Sequence, residues 1–372
     1  MLSPLQQSLD LIQKNNRLLI VLPENLNGDN LGAGLALTQA LRSLNKKVDL
    51  VSAGEVPEKL AFLPFSADLK NKLTVWRDFI ISIDTSQNKI SRLRYETESN
   101  CLKIFLTTPA SIREKDFHLE PGPYFYDLII TLDTPDLEGL GAIFSENAEL
   151  FFSRPILNID HRAANESFGE VNLIEPVAAA CAEIIIPLLA RLNITHSEQI
   201  ATLFLTGLIA KTNSFQNSLT TPRALSLAGD LISQGANQEI IIQNLFKTKP
   251  LNSLRLWGRL LGQMEFDPAI GAAWLTAQPE DFVATNTSTQ NLPFALEEIF
   301  EMLPKLNLAA IFWPDENHLT NALIQSRQPA ILQKINVTLA GAIKNNRLLV
   351  KAGPMELSRL KEEIIALLKS VA

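Results

Sequence analysis

Apolar runs that end at or near an acidic residue recur along this chain, and patterns of helical period lie between them. Arg17–Leu22 (RLLIVL), Val48–Val51, Asp78–Asp84 (DFIISID), Cys101–Thr107 (CLKIFLT), Asp127–Asp133 (DLIITLD) and Pro155–Asp160 (PILNID) read as strands. Unbroken apolar runs of this length suit strands buried on both faces. Asn30–Leu44 carries Leu31, Leu35, Leu37, Leu41 and Leu44 in a pattern that suits a helix, and helices dominate from Pro176 to about Gly262. The alternation predicts an α/β fold with a parallel sheet wrapped by helices. In such sheets ligands bind beyond the carboxyl ends of the strands. Asp133 and Asp160 stand at two such ends, and Asp29 lies in the loop after the first strand.

After about Phe266 the pattern restarts. Ala269–Thr276 reads as a strand, Pro293–Leu303 as a helix, and Asn307–Phe312 and Leu319–Ser326 as strands. A helix, a strand at Arg347–Lys351 and an amphipathic helix at Met355–Val371 complete a smaller α/β unit. A chain of 372 residues exceeds one typical core. The expected division is a first domain over 1–236, a helical connector over 237–265 and a C-terminal domain over 266–372. The stretch from about 54 to 123 is polar and turn-rich, and reads as an insertion carrying its own hairpin. The peptide KNNRLL occurs at Lys14–Leu19 and Lys344–Leu349 without any longer period, so it marks turn-then-strand chemistry rather than a repeat.

Composition narrows the function classes. The formal charge of −7 argues against tight binding of long duplex DNA, which needs a large basic face. Two cysteines, Cys101 and Cys181, exclude a disulfide framework and a four-cysteine zinc site, and both are expected to be buried as small apolar residues. The first residues lack the pattern of a signal peptide. The most apolar stretch, Val177–Leu192, is short and carries Glu183 and Pro187, so no membrane span is expected. These features suggest a cytoplasmic protein.

Four segments stand out: Pro23–Leu37 with Asp29, Ile129–Gly141 with Asp133, Asn158–Gly169 with Asp160 and His161, and Leu205–Phe215 with Lys211. Singly, each has an ordinary structural use. An Asp after a strand commonly caps the next helix, and Thr-Gly is common punctuation. Their order is more informative. It resembles the DHH phosphoesterase superfamily, in particular the bacterial branch with oligoribonuclease (nanoRNase) and 3′-phosphoadenosine 5′-phosphate phosphatase activity. The first motif of that family, His-x-Asn-Pro-Asp-Gly-Asp-x-Leu-Gly-Ser, is matched by Pro23 through Ala33. Asp133 matches the strand-ending second motif. Asp160-His161-Arg162, with Asn165 and Phe168-Gly169, matches the third, Asp-His-His. Thr206 through Phe215 matches the fourth.

The resemblance implies a two-domain enzyme with a cleft between the domains, holding two Mn²⁺ or Mg²⁺ ions through six protein ligands. Such ions prefer hard oxygen donors and imidazole, and clamp the attacking water and the phosphate oxygens. Of the implied ligands this chain keeps Asp29, Asp133 and His161, with Asp160 beside them. Pro23, Asn27 and Lys211 stand at the other three, and Arg162 stands at a substrate-phosphate contact. Lysine at a ligand position repels a dication and could take its place: two unit charges about 4 Å apart interact by roughly 4 kcal/mol at an effective dielectric near 20. No ion, or a single weakly bound one, is therefore expected. The family's C-terminal domain has a strand arginine and a Gly-Gly-Gly-His loop. Here Arg327 matches the arginine, but Leu339–Lys344 retains only Gly341 and has no His.

His118, His196 and His318 show no ligand spacing, and Trp257, Trp274 and Trp313 read as packing residues. The leading expectation is a DHH-type fold that has lost two-metal hydrolysis and keeps nucleotide or phosphate binding, or a scaffolding role. One alternative is a single-metal phosphoesterase acting on short oligonucleotides or nucleotide phosphates. Another is a structural or regulatory partner without a ligand. Homo-oligomerisation is compatible with each.

Overall fold

A computed structural model describes every residue except 1, 87–88, 110, 196, 248–249, 304, 316–318, 345, 352–356 and 372. His196, His318 and the first residues of the expected C-terminal helix lie outside the described residues. The chain divides into two compact units, Met1–Thr248 and Lys249–Ala372.

The first unit carries α1 (Pro4–Lys14), β1 (Arg17–Val21), α2 (Gly28–Ser43), β2 (Lys47–Val51), β3 (Leu69–Lys70), β4 (Arg77–Ile83), β5 (Arg92–Glu98), β6 (Cys101–Thr107), β7 (Phe117–Tyr124) and β8 (Leu128–Leu132). It continues with α3 (Ala142–Ser145), α4 (Ala148–Ser153), β9 (Ile156–Asp160), β10 (Val171–Ile174), α5 (Ala182–Arg191), α6 (Glu198–Lys211), α7 (Pro222–Ser233) and α8 (Gln238–Ile242). Six strands form a parallel sheet in the order β10-β9-β8-β1-β2-β3. Alternate residues of the central strands serve two cores. Leu18, Ile20, Leu128 and Ile130 pack under the helical layer that includes α2, α5 and α6, and Leu19, Val21 and Ile129 pack with Phe151 and Leu140 on the other face. This is why their sequences are apolar without alternation.

The strand order reverses between β1 and β8. From β1 the chain moves to β2 and β3; from β8 it moves the other way, to β9 and β10. Diverging crossovers open a crevice at the carboxyl ends of the two strands at such a point. The Pro23–Asn27 loop follows β1 there and Asp133 follows β8, so the topology itself brings two sequence-distant acids together.

α2 lies almost wholly buried against α6. The close crossing depends on glycine: a Cβ on Gly32 would come within 2.5 Å of the Leu203 carbonyl oxygen.

The stretch from 54 to 123 contributes only the two-residue β3 to the main sheet. Its other strands form two separate antiparallel ribbons, β4 with β7 and β5 with β6. Cys101, expected to be buried, is exposed, because it opens a strand of a ribbon that no core covers. Cys181 is buried as expected.

The second unit contains α9 (Leu251–Leu261), β11 (Glu265–Asp267), β12 (Ala272–Thr276), α10 (Pro279–Thr285), α11 (Leu292–Met302), β13 (Leu308–Pro314), β14 (Thr320–Ser326), α12 (Pro329–Leu339), β15 (Ala342–Lys344), β16 (Arg347–Lys351) and α13 (Leu357–Val371). Its mixed sheet runs β11-β12-β13-β14-β16-β15. One face packs on α9 and α11 through Leu256, Leu296 and Ile311, the other on α12 and α13 through Leu332, Leu360 and Phe312. Trp274 and Trp313 are buried in these layers. The division between units falls inside the 237–265 stretch: Ile241 of α8 joins the first unit's core, while Leu256 and Leu260 of α9 join the second's. Among the described residues no helix is long and apolar enough to cross a membrane.

Candidate functional site

The site is built where β1, β8 and β9 end. Asn27 caps α2: its side-chain oxygen accepts from the amides of Asp29 at 2.8 Å and Asn30 at 3.1 Å. Capping fixes the first turn and buries Asp29 completely. Room for that carboxylate comes from α6, where a Cβ on Gly207 would sit 2.8 Å from Asp29 Oδ1. The backbone N–H of Cys181, at the start of α5, donates to both Asp29 oxygens at 3.0 and 3.2 Å. A helix N-terminus is a favourable place for a buried anion.

Asp133 follows β8 with a left-handed backbone, φ 49°, a conformation Asp tolerates better than most residues. It too is fully buried. Its Oδ2 accepts from Asn27 Nδ2 at 3.2 Å and Asn30 Nδ2 at 3.3 Å. Its Oδ1 accepts from Arg162 Nη2 at 2.9 Å and Lys211 Nζ at 3.4 Å. Burial alone would raise its pKa. The neighbouring His161 ring nitrogen and the charges of Lys211 and Arg162 outweigh burial and hold the carboxyl well below the usual carboxylate range.

His161 Nε2 lies 3.3 Å from Asp29 Oδ2 and 3.3 Å from Asp133 Oδ1. It is buried and aligned with neither for a directed hydrogen bond, so charge rather than bond geometry couples the ring to the acids. Burial would lower its pKa and Lys211 opposes protonation, but the facing carboxylates of Asp133 and Asp29 push it up to about 9. The Lys211 ammonium completes the group, 3.4 Å from Asp133 Oδ1 and 3.9 Å from Asp29 Oδ2. Cys181 Sγ also falls in this cluster, within 4.8 Å of the ligand atoms of Asp29, Asp133 and His161. Burial, with Asp29 and Asp133 nearby, pushes its thiol pKa well up.

Asp160 is used differently. Its Oδ1 accepts from the amides of His161 at 2.7 Å and Arg162 at 3.3 Å, and its Oδ2 accepts from Asn165 Nδ2 at 2.7 Å. Placed by its motif beside the ligands, it clamps the turn that carries His161 and Arg162. Pro23 is buried at the end of β1, where its carbonyl accepts from Ser52 Oγ at 2.9 Å. In the second unit, Arg327 donates to the carbonyls of Leu306 and Phe300, each at 2.8 Å. A Cβ on Gly341 would meet the Leu349 carbonyl oxygen at 2.4 Å, so β16 passes too closely for any other residue.

Sequence reading did not single out Asn30 or Cys181. Asn30 had a signal: it follows Asp29 in a capping pattern with Asn27. Cys181 had none beyond its place in the small-residue run before α5.

No protein-family model matches the chain. It is 32% identical over 134 residues to the bifunctional oligoribonuclease and PAP phosphatase NrnA of Thermus thermophilus, covering 36% of this chain and 40% of that protein. It is 26% identical over 141 residues to the uncharacterized MG371 homolog of Mycoplasma pneumoniae, covering 38% of this chain and 42% of that one. The chain thus matches about two fifths of the length of these curated relatives. Among solved structures, an exopolyphosphatase-related protein from Bacteroides fragilis aligns over 99% of this chain and 96% of its own, with a TM-score of 0.69 at 15% identity. That likeness establishes a shared fold along the chain. The local match to the Thermus thermophilus protein agrees with the resemblance carried by the order of the four motifs.

Proposed function

We propose that this chain binds a phosphate-bearing ligand, a short oligonucleotide or a nucleotide phosphate, at the Asp29–Asp133 cluster, and that fixed side-chain cations stand where the DHH superfamily it resembles uses divalent ions. The observation that carries the reading is the distribution of exposure. Both carboxylates are wholly buried, while the groups that reach solvent are cations: Lys211 is 21% exposed and Arg162 is 37% exposed. With Asp160 turned to backbone amides, two acids face the imidazolium of His161, Lys211 and Arg162. The open side of the site therefore attracts an anion. Arg162 suits phosphate through its planar fork, and Lys211 through its compact charge. The name of the Thermus thermophilus relative, an oligoribonuclease and PAP phosphatase, supports this ligand class, and a cytoplasmic location goes with it.

A two-ion centre does not fit these residues. Pro23 offers no donor. Asn27 spends its oxygen on the start of α2 and points its N–H group at Asp133, so it acts as a donor where an ion needs an acceptor. Lys211 holds a positive charge against both acids. These residues therefore support no hydrolytic step through a metal pair. A second reading retains one ion. It is favoured by the buried His161 Nε2, which has no aligned partner and faces one oxygen of each acid. Asp29, Asp133 and His161 would hold that ion, which would polarise a phosphate oxygen.

Calorimetric titration of the EDTA-treated protein with a short RNA and with 3′-phosphoadenosine 5′-phosphate separates the readings. Binding without metal is expected, and Arg162→Ala should weaken it about tenfold, the equivalent of about 1.4 kcal/mol. Binding that appears only with Mn²⁺ supports the single-ion reading instead, and no binding under either condition removes both.

A further inference from the structure

The β5–β6 ribbon has two unlike faces. Pairing places Leu93 opposite Leu106, Tyr95 opposite Ile104 and Thr97 opposite Leu102 on one side. Arg92, Arg94, Glu96 and Glu98 share the other side with Lys103 and Phe105. On the charged side Arg94 pairs with Glu96 and stacks on Phe105, and Lys103 pairs with Glu98. The apolar side is open, with Leu93 63% and Tyr95 70% exposed. Every residue of β5 is exposed, and among the described residues β5 pairs with β6 alone, so its outer edge is free. A lone two-stranded ribbon is marginal in water, and a free edge is a template for another strand.

The sequence of β5, Arg92-Leu93-Arg94-Tyr95-Glu96-Thr97-Glu98, shows which strand fits. It is self-complementary when read antiparallel about Tyr95. Arg92 then faces Glu98 of a second copy, Arg94 faces Glu96, Leu93 faces Thr97, and Tyr95 meets its own counterpart. All four charged positions lie on one face, so each cation meets an anion directly across the junction. A two-fold axis requires this kind of self-complementary patch, and directly opposed charges of opposite sign stabilise strand pairs.

We infer that the β5 edge is a homodimer interface, in which the strands of two copies pair antiparallel about Tyr95 to form one four-stranded sheet, β6-β5-β5-β6. Backbone hydrogen bonds join the edges, and the charge order fixes direction and register. The apolar sides of both ribbons line up as one continuous face, so Tyr95 and Leu93 gain cover that one copy lacks. A parallel arrangement opposes Arg to Arg and Glu to Glu, and a shift of two residues sets Arg94 against Arg94 or Glu96 against Glu96. The interface lies within the inserted stretch and does not depend on what the Asp29–Asp133 cluster binds.

Sedimentation equilibrium of the full chain tests this. The wild type should show twice the chain mass. The double variants E96R/E98R and R92E/R94E each place four like charges opposite four, and each should sediment at the single-chain mass. Mixed in equal amounts, they should regain the double mass, because the all-Arg strand then faces the all-Glu strand. Thermal melts matching the wild type's main transition confirm that each variant is folded. In a Cys101→Ser background, Tyr95→Cys should cross-link two chains on mild oxidation. A wild type of single-chain mass, double variants that remain dimeric, or a mixture that stays monomeric overturns the proposal.

Discussion

Lys211→Ala should lower the stability of the first unit by about 3 kcal/mol, within the 3–5 kcal/mol typical of removing one partner from a buried ion pair. The substitution leaves Asp29 and Asp133, both fully buried, with one cation fewer. The lower end of the range applies because the lysine side chain is 21% exposed, so some of its interaction is already screened. Arg162 cannot make up the loss at Asp29, because its recorded contact is with Asp133. The same variant should gain something the wild type lacks. Without the ammonium, His161 and the two acids form an open acceptor set, so millimolar Mn²⁺ should raise the melting temperature of Lys211→Ala and leave that of the wild type almost unchanged. Differential scanning calorimetry with and without Mn²⁺ reads both effects. A variant as stable as the wild type would show that Lys211 does not balance the buried acids.

Gly32→Ala should be comparably damaging, at about 2–3 kcal/mol, for a steric reason. The new methyl would meet the Leu203 carbonyl oxygen at 2.5 Å, and that atom belongs to helix backbone that cannot rotate away. α2 and α6 would have to separate. Because α2 carries Asp29 and α6 carries Lys211, separation also pulls the acid from its counter-ion. The variant should therefore lose ligand affinity as well as denaturant resistance. Urea melts and phosphate titration together check this. A stable variant with unchanged affinity would mean that the helix crossing does not set the site's geometry.

Much of the first unit is legible in the sequence because its central strands are covered on both sides. Full burial leaves Leu18–Leu22 without a polar residue and Leu128–Leu132 with only the small, buried Thr131. The same physics hides β5 and β7. β5 is exposed throughout and β7 over most of its length, and no long apolar run marks either. β3 is only two residues long, too short for any period. In the second unit, the strands buried on both faces are readable, while the short β11 and β15 leave no comparable pattern.

The site divides along similar lines. Asp29, Asp133 and His161 are recognisable because residue type and motif order identify them, and the switch in strand order explains why they meet. Asp160 shows what residue type cannot supply. Its role depends on which amides a tight turn presents, and in this turn they belong to His161 and Arg162. Arg162, matched to a substrate-phosphate contact, is 37% exposed and also donates to Asp133, a contact that no local pattern announces. Cys181 enters the cluster through the placement of α5, which no local pattern encodes. Arg327 illustrates the converse: a position that matches a motif is committed to two carbonyl groups in its own unit.

The central claim is that side-chain cations replace the metal pair, and metal content tests it most directly. Protein purified in the presence of Mn²⁺ and then dialysed should retain less than about one equivalent of the ion by mass spectrometry, and should cleave a short RNA no faster than Asp133→Ala does. Two tightly held Mn²⁺ ions per chain, with RNA cleavage that Asp133→Ala abolishes, would contradict the account.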